Sequence, residues 1–297
     1  MDNKHANILK NLRIKTTIDD AELQQYRHHP SIIDLNLTDK EFKQYFGVIT
    51  RMVKEQSTAP QENPNNEVLF YTKLIRDQRG KLKVISVPTE KIYDLMLIRL
   101  HYLIRDFPDR QLNILLNAAS IGKVVDVSKK KLLLYYINDV LGNISKASGA
   151  YVYGNVGIGK TYTAIGLANE LAKREFNVAF VNCADIAYKL KRGFDKDNDV
   201  NDELVNKMKE ADALFLDDIG AEDEKVWFYN NYLMIILNYR MDRKKLTFFT
   251  SNLSIDAFSQ RLSNLMHKSF NADRLIERIR ALTKNQQFEI TGNNQRY

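Results

Sequence analysis

The chain holds a single cysteine, Cys183, among its 297 residues. One thiol excludes a disulfide framework within the chain and any four-cysteine zinc site, and it fits a reducing cytoplasm. Beside a β-prone run, Cys183 reads most simply as a core residue. The five histidines, His5, His28, His29, His101 and His267, show no metal-ligand spacing; His28 and His29 are adjacent and so point apart. No stretch approaches the roughly 18 apolar residues needed to span a bilayer. Met1-Asp2-Asn3-Lys4-His5 leads into no apolar run like that of a secretory signal. The expectation is a cytoplasmic protein with no membrane partner.

What is present is ordinary for a globular protein. Hydrophobic residues make up 44% of the chain, too many for a disordered one. Its length predicts two domains. A formal charge of +7 is compatible with a polyanionic partner and by itself says no more.

The pattern changes along the chain. Ile8, Leu9 and Leu12 suggest a loosely docked first helix. Thr38 precedes Asp39-Lys40-Glu41, with Phe42, Tyr45, Phe46, Ile49 and Met52 at helical spacing. A polar, proline-containing break covers 57–66, and β-prone runs at 68–75 and 82–87 flank a hairpin turn at 76–81. Helical patterns return at 93–104 and 131–144. From Ala150 onward strands alternate with helices. Strands are expected at 150–153, 178–181, 213–216, 246–250 and 288–290. Helices are expected at 161–175 and 224–243, at 254–262 capped by Ser254, and up to Leu282 capped by Asn271. Trp227 reads as a packing anchor. The fold class is α/β: a parallel five-stranded sheet between helices at 126–297, behind a smaller α+β domain at 1–125.

Gly154-Asn155-Val156-Gly157-Ile158-Gly159-Lys160-Thr161 fits G-x-x-x-x-G-K-[ST] throughout, between an expected strand and an expected helix. Glycines let backbone N–H groups curl around phosphate oxygens, and the helix N-terminus adds positive potential. Lys160 is expected to reach the β- and γ-phosphates of ATP, and Thr161 to ligate magnesium. The same nucleotide-binding stretch runs on to Tyr162. The apolar run 213–216 ends in Asp217-Asp218, 57 residues after Lys160. At the carboxyl end of a parallel strand, Asp217 suits magnesium held through water, and Asp218 suits orienting or deprotonating an attacking water. Thr250-Ser251-Asn252 ends the next strand, where Asn252 suits a hydrogen bond to phosphate and water.

Arg274 and Arg278 share a helix face at i, i+4, with Arg280 nearby; arginine stabilises charge on a transferring phosphoryl group. The other reading is a solvated basic face paired with Glu277. The stretch 185–210 is long for a plain connection. Lys189, Lys191 and Arg192 interleave with Tyr188 and Phe194, and a flexible acidic stretch follows at 195–202. Basic residues among aromatics suit single-stranded nucleic acid; a charged surface helix has the same composition.

These motifs together resemble the bacterial replicative helicase loaders, the DnaC/DnaI family of AAA+ ATPases. The resemblance covers 145–297 and rests on the P-loop, Leu-Phe-Leu-Asp-Asp-Ile-Gly-Ala-Glu at 214–222, Thr-Phe-Phe-Thr-Ser-Asn at 247–252 and Ala-Asp-Arg-Leu-Ile-Glu-Arg-Ile at 272–279. It implies an AAA+ core that binds and hydrolyses ATP with magnesium. In it Asn252 is the sensor, Arg278 an arginine finger for a neighbouring subunit, and Arg274 a second basic residue beside it. It implies single-stranded DNA at 185–210, a replicative DNA helicase on the N-terminal domain, self-association on that helicase, and other primosome proteins as partners. The familiar zinc-binding cysteines are missing: around the hairpin the chain reads Ile85-Ser86-Val87-Pro88, so no zinc is expected. The alternatives are an IstB-like transposition helper and a nucleotide-switched adaptor with negligible hydrolysis. Asp218, one methylene shorter than the glutamate common at its position, suits slow turnover.

Overall fold

A computed structural model describes residues 20–57, 69–116, 136–144, 146–193, 198–220, 226–266 and 270–291. The expected first helix at Ile8–Leu12, the polar break after Ser57 and the expected domain division at 125/126 lie outside these residues. The chain divides into two units, 1–93 and 94–297.

In the first unit, α1 (Asp20–Arg27) and α2 (Pro30–Ile33) precede α3 (Asp39–Ser57). Thr38 starts α3 as a reciprocal cap: its Oγ1 accepts the Glu41 N–H at 3.3 Å, and its own N–H donates to Glu41 Oε2 at 3.0 Å. The helical stripe Phe42, Ile49, Met52 is buried with Leu74 and Leu82 of an antiparallel hairpin, β1 (Phe70–Arg76) and β2 (Leu82–Pro88). Arg76 grips both Glu41 oxygens at 2.9 Å. That guanidinium, with the Thr38 hydrogen bonds, holds the Glu41 carboxyl at about 2.

The division falls within α4 (Glu90–Leu100). The helical pattern expected to reach 104 stops there, and β3 (Tyr102–Arg105) follows as an edge strand. Strand pairing wins over local periodicity: the Val178 N–H donates to His101 O at 2.8 Å, and the Asp106 N–H to Phe180 O at 3.0 Å. The remaining elements are β4 (Tyr151–Tyr153), α5 (Lys160–Lys173), β5 (Val178–Asn182), α6 (Cys183–Gly193), α7 (Asn198–Glu210) and β6 (Ala213–Asp217). Then α8 (Val226–Phe228) passes through a π turn at Tyr229–Leu233 into α9 (Met234–Asp242), followed by β7 (Leu246–Ser251), α10 (Ile255–Leu265), α11 (Phe270–Thr283) and β8 (Gln287–Glu289). Ser254 caps α10 as expected, its Oγ accepting the Ala257 N–H at 3.2 Å. Asn271, expected as a cap, lies inside α11, which begins one residue earlier.

The six strands form one parallel sheet in the order β3-β5-β6-β7-β4-β8. The five strands read from the sequence are all there; the sixth is β3. Both faces are covered, so β6 is buried along its whole length. Ala213 and Phe215 face one core with Ile165, Ala168 and Leu171 of α5. Leu214 and Leu216 face the other, with Ile236 of α9 and Leu275 of α11. Because every strand runs the same way, β4, β6 and β7 end at one edge, bringing the P-loop, Asp217-Asp218 and Asn252 together.

Arg240 of α9 is fully buried. Its Nε donates to Thr247 Oγ1 at 2.9 Å, its Nη1 to the carbonyls of Met208, Lys209 and Ala211, and its Nη2 to that of Leu246 at 2.5 Å. The guanidinium thus ties the C-terminal end of α7, where unpaired carbonyls concentrate negative potential, to the start of β7. Burial pulls its pKa down to about 9, which leaves it charged at neutral pH. Arg240→Met removes every one of these donors at once. Chemical denaturation is expected to show a loss on the order of 3 kcal/mol; a loss within about 0.5 kcal/mol would show that the carbonyls need no such partner.

Candidate nucleotide-binding site

β4 delivers the chain to Gly154, whose φ is 148°. A Cβ there would lie 2.2 Å from Ile290 O and 2.6 Å from Ile158 Cδ1, so no side chain fits. Gly157 (φ 83°) and Gly159 (φ 95°) turn the loop through left-handed backbone, and Gly159 caps α5. The first turn of a helix carries N–H groups without intrahelical partners, so α5 aims donors at the loop. Val156 is exposed and Tyr162 lies partly exposed one residue beyond Thr161. Asn155 contributes a carbonyl, and Ile158 is buried beneath the loop.

Lys160 is buried. Its Nζ donates to Gly154 O at 3.0 Å, to Asn155 O at 2.9 Å and to Asn252 Oδ1 at 2.8 Å. The expected sensor residue therefore meets the P-loop lysine across 92 positions of sequence. Thr161 Oγ1 stands 3.1 Å from both oxygens of Asp217. Thr250 Oγ1 donates to Asp217 Oδ1 at 2.6 Å and accepts the Asp218 N–H at 2.9 Å. Asp218 itself has φ 54°, left-handed backbone that few residues other than glycine adopt.

Burial pushes the Asp217 carboxyl up to about 6, and the neighbouring Asp218 charge adds to the rise. The Thr250 and Thr161 hydrogen bonds and the Lys160 charge oppose it without cancelling it. A buried carboxylate beside a hydroxyl, next to a loop shaped for phosphate, fits a hard cation that completes its shell with phosphate oxygens and water. Among the described residues no group of three or more His, Cys, Asp or Glu is placed to hold a metal alone. A nucleotide fits the loop on the same evidence: the glycine turns, the α5 N-terminus and the Lys160 ammonium, which lies against the loop carbonyls, are all suited to phosphate.

Of the other expected site residues, Arg278 and Lys189 have partners outside this cluster. Arg278 Nε donates to Asn238 Oδ1 of α9 at 2.8 Å, and Nη1 stands 3.6 Å from Glu277 Oε2. Arg274 is exposed on the same helix, and Arg280 pairs with Asp256 at 2.8 Å. Lys189 Nζ donates to Asp106 Oδ1 at 2.5 Å, and Arg192 lies over the Tyr188 ring at 5.7 Å. Lys191 and Arg192 are exposed on α6. Of the expected flexible acidic stretch, 198–202 is the start of α7 instead, because Val205 and Met208 further along that helix are buried against the core; Phe194 and 195–197 lie outside the described residues. Trp227 packs edge-on against Tyr232 and Phe228. Sequence reasoning passed over Thr250 and Asn238. The only signal for Thr250 was its place two residues before Asn252.

The profile of the family described as IstB-like ATP binding protein matches residues 139–296. The replicative helicase loader DnaI of Bacillus subtilis (strain 168) is 27% identical over 297 residues, covering 94% of this chain and 90% of that protein. The replicative helicase loader DnaC of Escherichia coli (strain K12) is 25% identical over 146 residues, 49% of this chain and 54% of that one. Among solved structures, a putative primosome component from Streptococcus pyogenes serotype M3 superposes with a TM-score of 0.52 at 28% identity, covering 67% of this chain and 98% of that one. A crystal structure of DnaI gives the same TM-score and identity, covering 67% and 99%.

The raised Asp217 carboxyl has a consequence for stability. A folded-state value of about 6 against an ordinary 3.8 means that ionising Asp217 weakens the fold as pH rises between those values. The penalty is complete above the upper value and absent below the lower. Without nucleotide or magnesium, Asp217→Asn is therefore expected to raise the unfolding free energy by about 1–3 kcal/mol near pH 7.5. The gain should vanish as pH falls toward 3.8. A variant no more stable than the parent near pH 7.5 would contradict this assignment.

Proposed function

Because this chain belongs to the IstB-like ATP binding protein family, we propose that it is a magnesium-dependent ATPase that loads a replicative DNA helicase onto single-stranded DNA. The observation that carries the reading is the reach of the similarity to DnaI. It runs through 94% of the chain, whereas the family profile begins only at residue 139. A transposition helper built on the same ATPase core shares no reason to match a loader across the N-terminal unit.

In this reading the loop from Gly154 to Tyr162 binds the triphosphate, with Lys160 turning from Asn252 and the loop carbonyls to the β- and γ-phosphates. Thr161, and Asp217 through water, would hold magnesium, which would supply neutralising charge for the phosphate oxygens. Asp218 orients the attacking water, and Asn252 holds the γ-phosphate and that water. Hydrolysis is slow, since Asp218 carries a shorter side chain than glutamate. Arg278, anchored through Nε by Asn238 on its own chain, serves the site of a neighbouring subunit, with Arg274 beside it. Exposed Lys191 and Arg192, with Lys189 once freed from Asp106, contact single-stranded DNA. The helicase grip lies in the N-terminal unit, 1–93, and the ATPase core in 94–297, whose sheet includes β3, and the protein self-associates on the helicase within the primosome.

Two experiments test the reading. Co-sedimentation with the cognate replicative helicase should show a complex for the full chain, and equally for Lys160→Ala, because the helicase contact lies outside the nucleotide site. A folded protein that never travels with the helicase would sink the loader assignment. Arg278→Ala should keep ATP affinity while losing most hydrolysis in the assembled state, where arginine fingers supply on the order of 10³–10⁵ in rate. Mixing it with Lys160→Ala at fixed total concentration should restore turnover, since one variant brings an intact pocket and the other an intact arginine. Flat, near-zero activity across ratios in mixtures shown to co-assemble would mean that Arg278 serves only its own chain.

A further inference from the structure

Thr250 is a buried residue near the end of β7, two positions before Asn252. Its hydroxyl has one proton to give and lone pairs to receive. The proton goes to Asp217 Oδ1 at 2.6 Å, and a lone pair takes the Asp218 N–H at 2.9 Å. Two further bonds tie the same two segments, and a third steadies the turn after Ser251. The Ile219 N–H donates to Thr250 O at 2.9 Å. Ser251 Oγ donates to Ile219 O at 2.7 Å and accepts the Leu253 N–H at 3.1 Å. The stretch 217–219 is thus laced to 250–251 by side chains as well as by one main-chain bond. The strain at Asp218, φ 54°, sits in the middle of this lacing. Left-handed backbone at a non-glycine residue costs on the order of 1–2 kcal/mol and persists where its surroundings impose it. The Thr250 hydroxyl accepts the Asp218 N–H, and the Thr250 carbonyl accepts that of Ile219.

Building on the nucleotide reading above, we propose that Thr250 is a positioning residue for that site: its hydroxyl orients the Asp217 carboxylate and fixes the Asp218 backbone, coupling both carboxylates to the strand that carries Asn252. The strand end then acts as one piece. Asn252 meets Lys160 on one side, and two residues earlier Thr250 sets the carboxylates on the other. A shift of Asn252 with the phosphates carries Asp217 and Asp218 along. Losing the hydroxyl leaves the Asp217 carboxylate oriented by Thr161 without its second hydroxyl and removes the acceptor of the Asp218 N–H.

Thr250→Val keeps the β-branched shape and removes the hydroxyl, whereas Thr250→Ser keeps the hydroxyl and removes the methyl. The readout is the ratio of ATP affinities measured by calorimetry in excess EDTA and in excess magnesium, which requires no turnover. In T250V the affinity without magnesium should stay within about twofold of wild type. The gain brought by magnesium should fall by about tenfold, as expected for one lost charge-assisted hydrogen bond. T250S should recover most of that gain. Should T250V fail to fold, Thr250→Ala also lacks the hydroxyl and should show the same loss. A magnesium gain intact in the folded hydroxyl-free variant, or lost equally in T250S, would overturn the proposal, the second by showing that the methyl packing matters instead. Wild type without magnesium-dependent ATP binding would overturn the site reading itself, a failure visible in the wild-type arm alone.

Discussion

A carboxylate that has lost its water is the constraint around which the ATPase unit is built. Asp217 ends the central strand β6, under the P-loop and beside a second carboxylate. Burial alone makes its charge unfavourable. The two threonine hydroxyls and the Lys160 ammonium offset only part of that. What remains is a carboxylate whose charge its own surroundings offset only in part. The fold keeps that charge in place because β6 is fixed by burial on both faces, and because β7 alongside it supplies Thr250 at the right height.

The same arrangement links strand order to chemistry. With β7 between β6 and β4, its end touches both neighbours' functional loops at once. Asn252 reaches toward Lys160, and Thr250 reaches toward Asp217. The machinery is thus gathered from stretches that are far apart in sequence onto one strand end. Behind it, buried Arg240 holds the opposite end of the neighbouring helix and strand, so that the carboxyl edge is built on a fixed base.

The legible parts of the sequence were those whose chemistry needs contiguous residues. A phosphate cradle is a local turn, so Gly154 to Thr161 announced itself, and strand ends followed from apolar runs closing in Asp217-Asp218 or Thr250-Ser251-Asn252. The hidden parts depend on partners brought by tertiary structure. Tyr102–Arg105 reads as the tail of a helix until the Val178 and Asp106 N–H groups pair across it with β5. Lys189 reads as a free cation, yet its partner Asp106 is 83 residues away. Arg240 drew no reading from the sequence, because the carbonyls at the end of α7 and the start of β7 that receive it come together only in the fold. Thr250 is one more threonine in a β-prone run, and nothing local reveals that both of its bonds cross to β6.

The most direct test of the buried carboxylate's purpose is proton release on ligand binding. Binding of preformed magnesium–ATP is measured by calorimetry in buffers of different ionisation enthalpy across a range of pH. Asp217, half-protonated at about 6, should lose its proton when the cation arrives beside it. Release should be about half a proton near that pH, rise as pH falls below it, approach zero toward pH 8, and disappear when magnesium is withheld. A binding heat that does not depend on the buffer near pH 6 would contradict the account, because the carboxylate would then not be the group the cation completes.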